Sequence, residues 1–68
     1  MRLSARNQIS GRIKTVRAGA TTTHATIEVS PTVEIMAAIT NEAVVELGLK
    51  PGMSATAVIK ASDVMVGI

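Results

Sequence analysis

Alternation of apolar and polar residues dominates this chain and predicts β-strands. The alternation recurs in four segments, which span residues 9–16, 24–29, 33–39 and 55–61. Ala18-Gly19-Ala20 separates the first two segments, and Ser30-Pro31-Thr32 predicts a turn because proline fixes φ and cannot donate to a strand ladder. A bend at Ser62-Asp63 precedes a predicted fifth strand, Val64 to Ile68.

The spacing changes to that of a short helix between the third and fourth segments. Thr40 can act as its N-cap by accepting the backbone N–H of Ala43, and Gly48 fits the left-handed position after its last turn. Lys50-Pro51-Gly52-Met53 is typical of a type II turn. The element order predicts an all-β fold, a five-stranded OB-fold-like β-barrel with one short helix between strands 3 and 4. An SH3-like barrel is the alternative.

Length and composition limit how this fold is stabilised. The 68 residues, 1–68, make one domain, and a single core of that size supplies only roughly 3–5 kcal/mol. The chain has no cysteine and no aromatic residue, yet 47% of its residues are hydrophobic and 18% are charged. Because a thin core cannot hide that much apolar surface, we expect homo-oligomerisation to supply the missing stability.

Several function classes are disfavoured. No apolar stretch approaches the roughly 20 residues of a membrane helix, and MRLSARNQ at 1–8 lacks the apolar run of a secretory signal. We therefore expect a cytoplasmic location and no membrane partner. His24, the one histidine, is expected to face outward in mid-strand, and Asp63, the one aspartate, lies in a turn. No catalytic triad or glycine-rich phosphate loop can be assembled, so the sequence predicts a binding protein and no enzyme.

Three short segments carry groups that suit an anion. Ser4-Ala5-Arg6-Asn7 combines a hydroxyl with a guanidinium, whose planar fork matches a tetrahedral oxyanion. Lys60-Ala61-Ser62 repeats this chemistry at the other end of the chain, and Thr40 begins the helix, where backbone N–H groups are unpaired. Each segment alone has an ordinary explanation, as a surface arm, a solvated strand end or an N-cap. Together they indicate a small oxyanion.

Positive charge is concentrated near the N-terminus, and no acidic residue precedes Glu28. The basic residues of this first quarter are Arg2, Arg6, Arg12, Lys14 and Arg17. Such a segment favours an anionic partner, although a solvated basic strand explains it equally well. The alternative hypothesis is a small basic OB-type interaction module that binds nucleic acid or acts as a regulatory domain. Because such modules stack bases on aromatic side chains, and this chain has none, we expect no nucleic acid partner.

In combination these segments resemble the molybdate-binding Mop family, the molbindins, which are related to TOBE-type domains. The resemblance covers essentially the whole chain in order. It is carried by Ser-Ala-Arg-Asn-Gln at 4–8, Ala-Ile-Thr at 38–40, Glu-Leu-Gly-Leu with Pro-Gly at 46–52, Lys-Ala-Ser at 60–62 and Val-Met-Val-Gly-Ile at 64–68.

This resemblance implies an OB-like barrel that assembles as a hexamer, a trimer of dimers, with oxyanions held at subunit interfaces. The implied function is cytoplasmic storage or homeostasis of molybdate or tungstate. The family's ligand positions fall here on Ser4, Arg6 and Lys60, with Thr40 and the backbone at Ala5 and Ala61 as contributors and Ser62 as an additional donor. Some relatives have a serine three residues after the threonine, where this chain has Ala43, so any contact from that hydroxyl is missing.

Overall fold

A computed structural model describes residues 3–68. It has four antiparallel strands, which curl into one sheet. The elements are β1 at Asn7–Ala18, β2 at Thr22–Ser30, β3 at Val33–Thr40, α1 at Asn41–Leu47, β4 at Ser54–Ile59 and a 3-10 turn at Ala61–Asp63. The strand order is β3-β2-β1-β4, so β3 and β4 form the two edges. Arg2, one of the basic residues noted above, lies outside the described residues.

The long strand β1 joins the two halves of the sheet. Its first half pairs with β4 and its second half with β2, and the two registers meet at Arg12. Just before this point, a Cβ atom on Gly11 would lie 2.6 Å from the carbonyl oxygen of Glu28 and 2.8 Å from Cγ2 of Ile27. Only glycine permits so close an approach of β1 to β2, which is why the strand can change partners here.

A β-bulge between Ile13 and Thr15 reverses the alternation of β1. Strict alternation through residues 9–16 predicts Thr15 on the same face as Ile13 and Val16 on the opposite face. The bulge makes Lys14 an extra residue, so Thr15 is exposed and Val16 packs against the core. Lys14 contacts Glu34 on β3, whose hydrogen bond and negative charge raise the pKa of Lys14.

The core of a single chain is as thin as the composition predicts. Ile13, Ile27 and Ala57 form the buried cluster. The partly buried hydrophobic residues packed against it are Ile9, Val16, Ile35 and Ala55. His24 is exposed on β2, as predicted.

The helix and the turn after it form where the sequence places them. The Thr40 hydroxyl accepts a hydrogen bond from the backbone N–H of Ala43 at 3.1 Å, and Gly48 ends α1 in the left-handed region at φ 63°. Gly52 has φ 91°, and the N–H of Met53 donates to the carbonyl of Lys50, which closes the predicted turn. Within residues 3–68, no helix is both long and apolar enough to cross a membrane.

The predicted fifth strand, Val64 to Ile68, is not formed within the chain. Strand β4 ends at Ile59, two residues earlier than predicted, because the chain turns at Ala61–Asp63 with the Asp63 N–H donating to the carbonyl of Lys60. A strand needs a hydrogen-bonded neighbour, and residues 64–68 have none within the described chain. One chain therefore forms a curled four-stranded half-barrel, and the predicted five-stranded barrel is not closed within it.

Candidate oxyanion site

The pairing of β1 with β4 brings together two of the three predicted anion-binding segments. Asn7 and Ile59 are the last partners of this antiparallel register. Arg6 directly precedes Asn7, and Lys60 directly follows Ile59. Because the strands are antiparallel, Ser4-Ala5-Arg6 enters the sheet at the same end at which Lys60-Ala61-Ser62 leaves it. Groups from opposite ends of the sequence thus converge in a single chain.

Arg6 and Lys60 are both exposed, and each adjoins a residue of the last β1–β4 pair. Asn7 and Ile59 are partly buried, whereas Arg6 and Lys60 are exposed, as expected for residues on the other face of a pleated sheet. Neither cation forms an ion pair with a carboxylate of residues 3–68, where Lys14–Glu34 is the one ion pair. Because two neighbouring cations repel each other, a dianion between them lowers their electrostatic energy.

Backbone and hydroxyl groups complete this end of the sheet. The Gln8 side-chain amide donates to the carbonyl of Ala5 at 3.3 Å and so anchors the arm that carries Arg6. Ser4 and Ser62 are exposed. The first N–H group that donates within the 3-10 turn is that of Asp63. The N–H groups of Ala61 and Ser62 come before it in the chain, so the hydrogen bonds of the turn do not use them.

The donor chemistry of this end suits an anion and does not suit a metal cation. A guanidinium, an ammonium, hydroxyls and N–H groups all donate hydrogen bonds, whereas Mg²⁺ or Ca²⁺ requires oxygen ligands such as carboxylates. Nowhere in residues 3–68 do three or more His, Asp or Glu side chains cluster in a way that could hold a metal ion.

Thr40, the third predicted contributor, lies at the other end of β1. It pairs with Thr22 at the start of β2, close to the hairpin that follows Ala18, whereas Arg6 precedes the first residue of the 12-residue strand β1. The Thr40 hydroxyl oxygen accepts the Ala43 N–H, which leaves its proton able to bind a further acceptor. The structure therefore does not bring Thr40 to Arg6 and Lys60 within one chain.

Asn41, which the sequence reasoning missed, holds the end of the sheet that carries Thr40. Its side-chain amide donates to the carbonyls of Gly19 at 3.0 Å and Ala20 at 3.3 Å. Its side-chain oxygen accepts the hydroxyl of Thr23 at 2.6 Å, and Thr23 is only 1% exposed. Thr23 lies on the apolar face of β2, and a buried hydroxyl needs a partner, so its position in the alternation could have indicated such a contact.

Residues 3–66 match the TOBE domain family. The chain belongs to this family. The TOBE domain is 39% identical over 66 residues, 97% of both chains, to molybdenum-pterin-binding protein 1 of Clostridium pasteurianum. The family match and this relative confirm the resemblance to Mop proteins with TOBE-type domains.

Solved structures show the same fold. The TOBE domain superposes with a TM-score of 0.94 and 51% identity on the cytoplasmic molybdate-binding protein ModG with molybdate bound, covering 100% of this chain and 48% of that chain. It superposes with a TM-score of 0.92 and 31% identity on a molybdate-binding protein from Sporomusa ovata, covering 100% of both chains. The ligand roles of individual residues in this TOBE domain stay predictions.

Proposed function

We propose that this TOBE domain binds molybdate, with Arg6 and Lys60 as the charged ligands. The observation that carries the proposal is the β1–β4 register, which ends at Asn7 and Ile59, so that the two basic segments start from the same end of the sheet. The choice of molybdate is supported by the names of its relatives, which include a molybdenum-pterin-binding protein and two molybdate-binding proteins. Tungstate has the same charge and tetrahedral shape, so the same groups would bind it.

Each ligand group has a distinct role in this proposal. The Arg6 guanidinium can bind two oxygens of the anion side by side, and Lys60 supplies a compact second charge. Hydroxyl and backbone N–H groups then fix the tetrahedral orientation. These neutral donors are the hydroxyls of Ser4 and Ser62 and the backbone at Ala5 and Ala61. Because sulfate is also a tetrahedral dianion, selection against it rests mainly on the size of the cavity.

The site is proposed to lie between subunits. Arg6 lies beside the first residue of β1, whereas Thr40, on β3, lies at the end of the sheet where β1 finishes. Both can therefore touch one anion only if they come from different copies of the chain. We propose that the Arg6–Lys60 end of one subunit faces the Thr40 end of another. The assembly proposed from the family resemblance is a hexamer, a trimer of dimers. In it, Ala43 offers no hydroxyl beside Thr40.

The biological role that follows is reversible binding. Residues 1–68 would act as a single oxyanion-binding domain that stores molybdate in the cytoplasm and keeps its free concentration steady, with no covalent step. Since a ligand that binds only the assembled protein stabilises it by mass action, bound molybdate should raise the stability of the assembly by roughly 2.7 kcal/mol at a hundred times Kd.

Isothermal titration calorimetry on the purified chain tests this function. Molybdate and tungstate are each titrated, with sulfate and a single-stranded oligonucleotide as comparison ligands. We expect saturable binding of molybdate or tungstate, weaker binding of sulfate and no oligonucleotide binding. Absence of molybdate and tungstate binding would overturn the proposal. Oligonucleotide binding with a steep salt dependence would instead support the interaction-module hypothesis.

A further inference from the structure

Asn41 fastens the start of α1 to the hairpin that links β1 to β2. It is the first residue of the helix and directly follows Thr40. It makes four hydrogen bonds to this region, three as a donor and one as an acceptor. Its partners are the carbonyls of Gly19, Ala20 and Thr21 and the hydroxyl of Thr23. Its backbone N–H and both ends of its side-chain amide are therefore engaged with residues 19–23.

This arrangement requires an amide side chain at position 41. The amide nitrogen donates to two backbone carbonyls, while the amide oxygen accepts the Thr23 hydroxyl at 2.6 Å. An aspartate would set a negative charge against the carbonyl oxygens of Gly19 and Ala20, and an alanine would make none of the three side-chain contacts. Because Thr23 is 1% exposed, its hydroxyl cannot turn to water instead. The hairpin thus holds Asn41 in one orientation.

The side chain of Thr40 depends on the first turn of α1 for its orientation. Thr40 ends the edge strand β3 and is exposed, and its hydroxyl accepts the N–H of Ala43. The helix that carries this N–H has 7 residues, none of them fully buried. So short a helix is not stable by itself, because its first turn is costly to form. The attachment of Asn41 to the hairpin therefore stabilises the turn that orients the Thr40 hydroxyl.

We propose that Asn41 is a positioning residue of the oxyanion site, which fixes the orientation in which Thr40 meets the anion. This inference rests on the proposed function, in which Thr40 of one subunit faces the Arg6–Lys60 end of another. A hydroxyl that is already ordered binds an anion more tightly than a mobile one, because less conformational freedom is lost on binding. Since linkage between two sites is reciprocal, an anion at Thr40 should in turn stabilise the hairpin through Asn41.

A double-mutant cycle on the assembled protein separates positioning from general stability. The Kd for molybdate is measured by calorimetry for the wild type, Asn41→Ala, Thr40→Val and the double variant. We expect Asn41→Ala to raise Kd roughly tenfold when Thr40 is present, and by less than about twofold in the Thr40→Val chain. A purely structural role would raise Kd by the same factor in both chains, which would overturn the proposal.

Hydrogen exchange followed by NMR tests the positioning without any oxyanion. The Ala43 amide donates to the Thr40 hydroxyl, so Asn41→Ala should speed its exchange severalfold. The Met53 amide, which donates to a carbonyl in the distant turn before β4, serves as the reference and should keep its rate. Unchanged exchange at Ala43 in a folded Asn41→Ala protein would overturn the proposal even if molybdate binds. A wild type that shows the Ala43 effect but binds no molybdate would contradict the proposed function instead.

The reciprocal effect is measured at the hairpin. The Gly19 amide donates to the carbonyl of Thr22 at 2.8 Å. Saturating molybdate should slow the exchange of this amide in the wild type and leave it unchanged in Asn41→Ala. Equal slowing in both proteins would show that the hairpin responds to the anion without Asn41 and would contradict the proposal.

Two further variants guard against loss of the fold. Glu46→Gln, exposed in the last turns of α1, alters the helix without touching the hairpin and should keep Kd within about twofold of the wild type. Native mass spectrometry verifies that each variant assembles like the wild type. If Asn41→Ala does not assemble, Thr23→Val removes a single contact of Asn41 and should raise Kd by a smaller factor, again only when Thr40 is present. An equal rise with and without Thr40 would overturn the proposal.

Discussion

Arg6 and Lys60 flank the last cross-strand pair of β1 and β4, Asn7 with Ile59, and both side chains are exposed. Their proximity is a consequence of strand pairing, since every residue from Asn7 to Arg12 has its partner on β4. The backbone ladder thus brings the two cations to the same end of the sheet. This relationship determines where molybdate is proposed to bind and which substitutions should affect it.

Removing either cation should weaken molybdate binding while leaving the sheet intact. Both side chains are exposed, and neither hydrogen-bonds to another side chain or backbone group of residues 3–68, so Arg6→Ala and Lys60→Ala cost little stability. A hydrogen bond to a charged group contributes about 1.5–3 kcal/mol, so Kd should rise roughly tenfold to a hundredfold. Lys50→Ala, in the turn before β4, removes an equal charge as a control. Equal molybdate affinities for all three variants would show that Arg6 and Lys60 do not bind the anion.

Mixed assemblies should reveal whether the site spans two subunits. Arg6→Ala and Thr40→Val subunits are unfolded together, refolded at equal concentration and titrated with molybdate. If Arg6 and Thr40 of different copies share an anion, random mixing leaves about a quarter of the sites with both groups intact. That quarter should bind with wild-type affinity, whereas neither variant alone should have any such site. No recovery on mixing would show that the two residues do not act in trans.

The contact between Thr23 and Asn41 should be the most sensitive polar contact of the fold. Asn41→Ala leaves the buried Thr23 hydroxyl without its partner and should cost about 1–3 kcal/mol. Thr23→Val removes that hydroxyl, so the double variant should lose less stability than the sum of the single losses. Denaturant titration at one fixed subunit concentration measures all three values. Additive losses would mean that the hydrogen bond contributes nothing measurable.

Gly11→Ala should destabilise the sheet although it adds a single methyl group. The new Cβ would lie 2.6 Å from the backbone oxygen of Glu28, which cannot move without breaking the β1–β2 register. Overpacking of this kind costs about 1–3 kcal/mol. Ser10→Ala, at the preceding exposed position, should stay within about 0.5 kcal/mol of the wild type. Denaturant midpoints at equal subunit concentration compare the two variants, and equal stability would show that the sheet relaxes around the methyl group.

Local sequence patterns predicted the parts of the fold that local chemistry controls. Thr40, Gly48 and the Pro51-Gly52 turn were identified correctly because caps and turns depend on a few adjacent residues. The bulge at Lys14 was missed, since strict alternation carries no information about an inserted residue. The fifth strand was predicted from a correct apolar pattern, but a strand also needs a neighbour, which one chain does not provide.

The candidate site likewise has features that residue chemistry predicts and features that depend on distant parts of the chain. Ser4, Arg6 and Lys60 could be selected by residue chemistry, but their convergence depends on long-range register, which the sequence does not display. The sequence likewise gave no indication that Thr40 lies at the opposite end of β1. Asn41 was missed because its partners, Thr23 and the hairpin carbonyls, come from a different part of the chain.

A crystal structure of the assembled protein with molybdate, with molybdenum located by its anomalous scattering, tests the central claim most directly. We predict a molybdenum peak whose oxygens lie within hydrogen-bond distance of the Arg6 guanidinium and the Lys60 ammonium of one subunit, with Thr40 of another subunit facing the same anion. A molybdenum peak remote from both Arg6 and Lys60, or none at saturating molybdate, would contradict the proposed site.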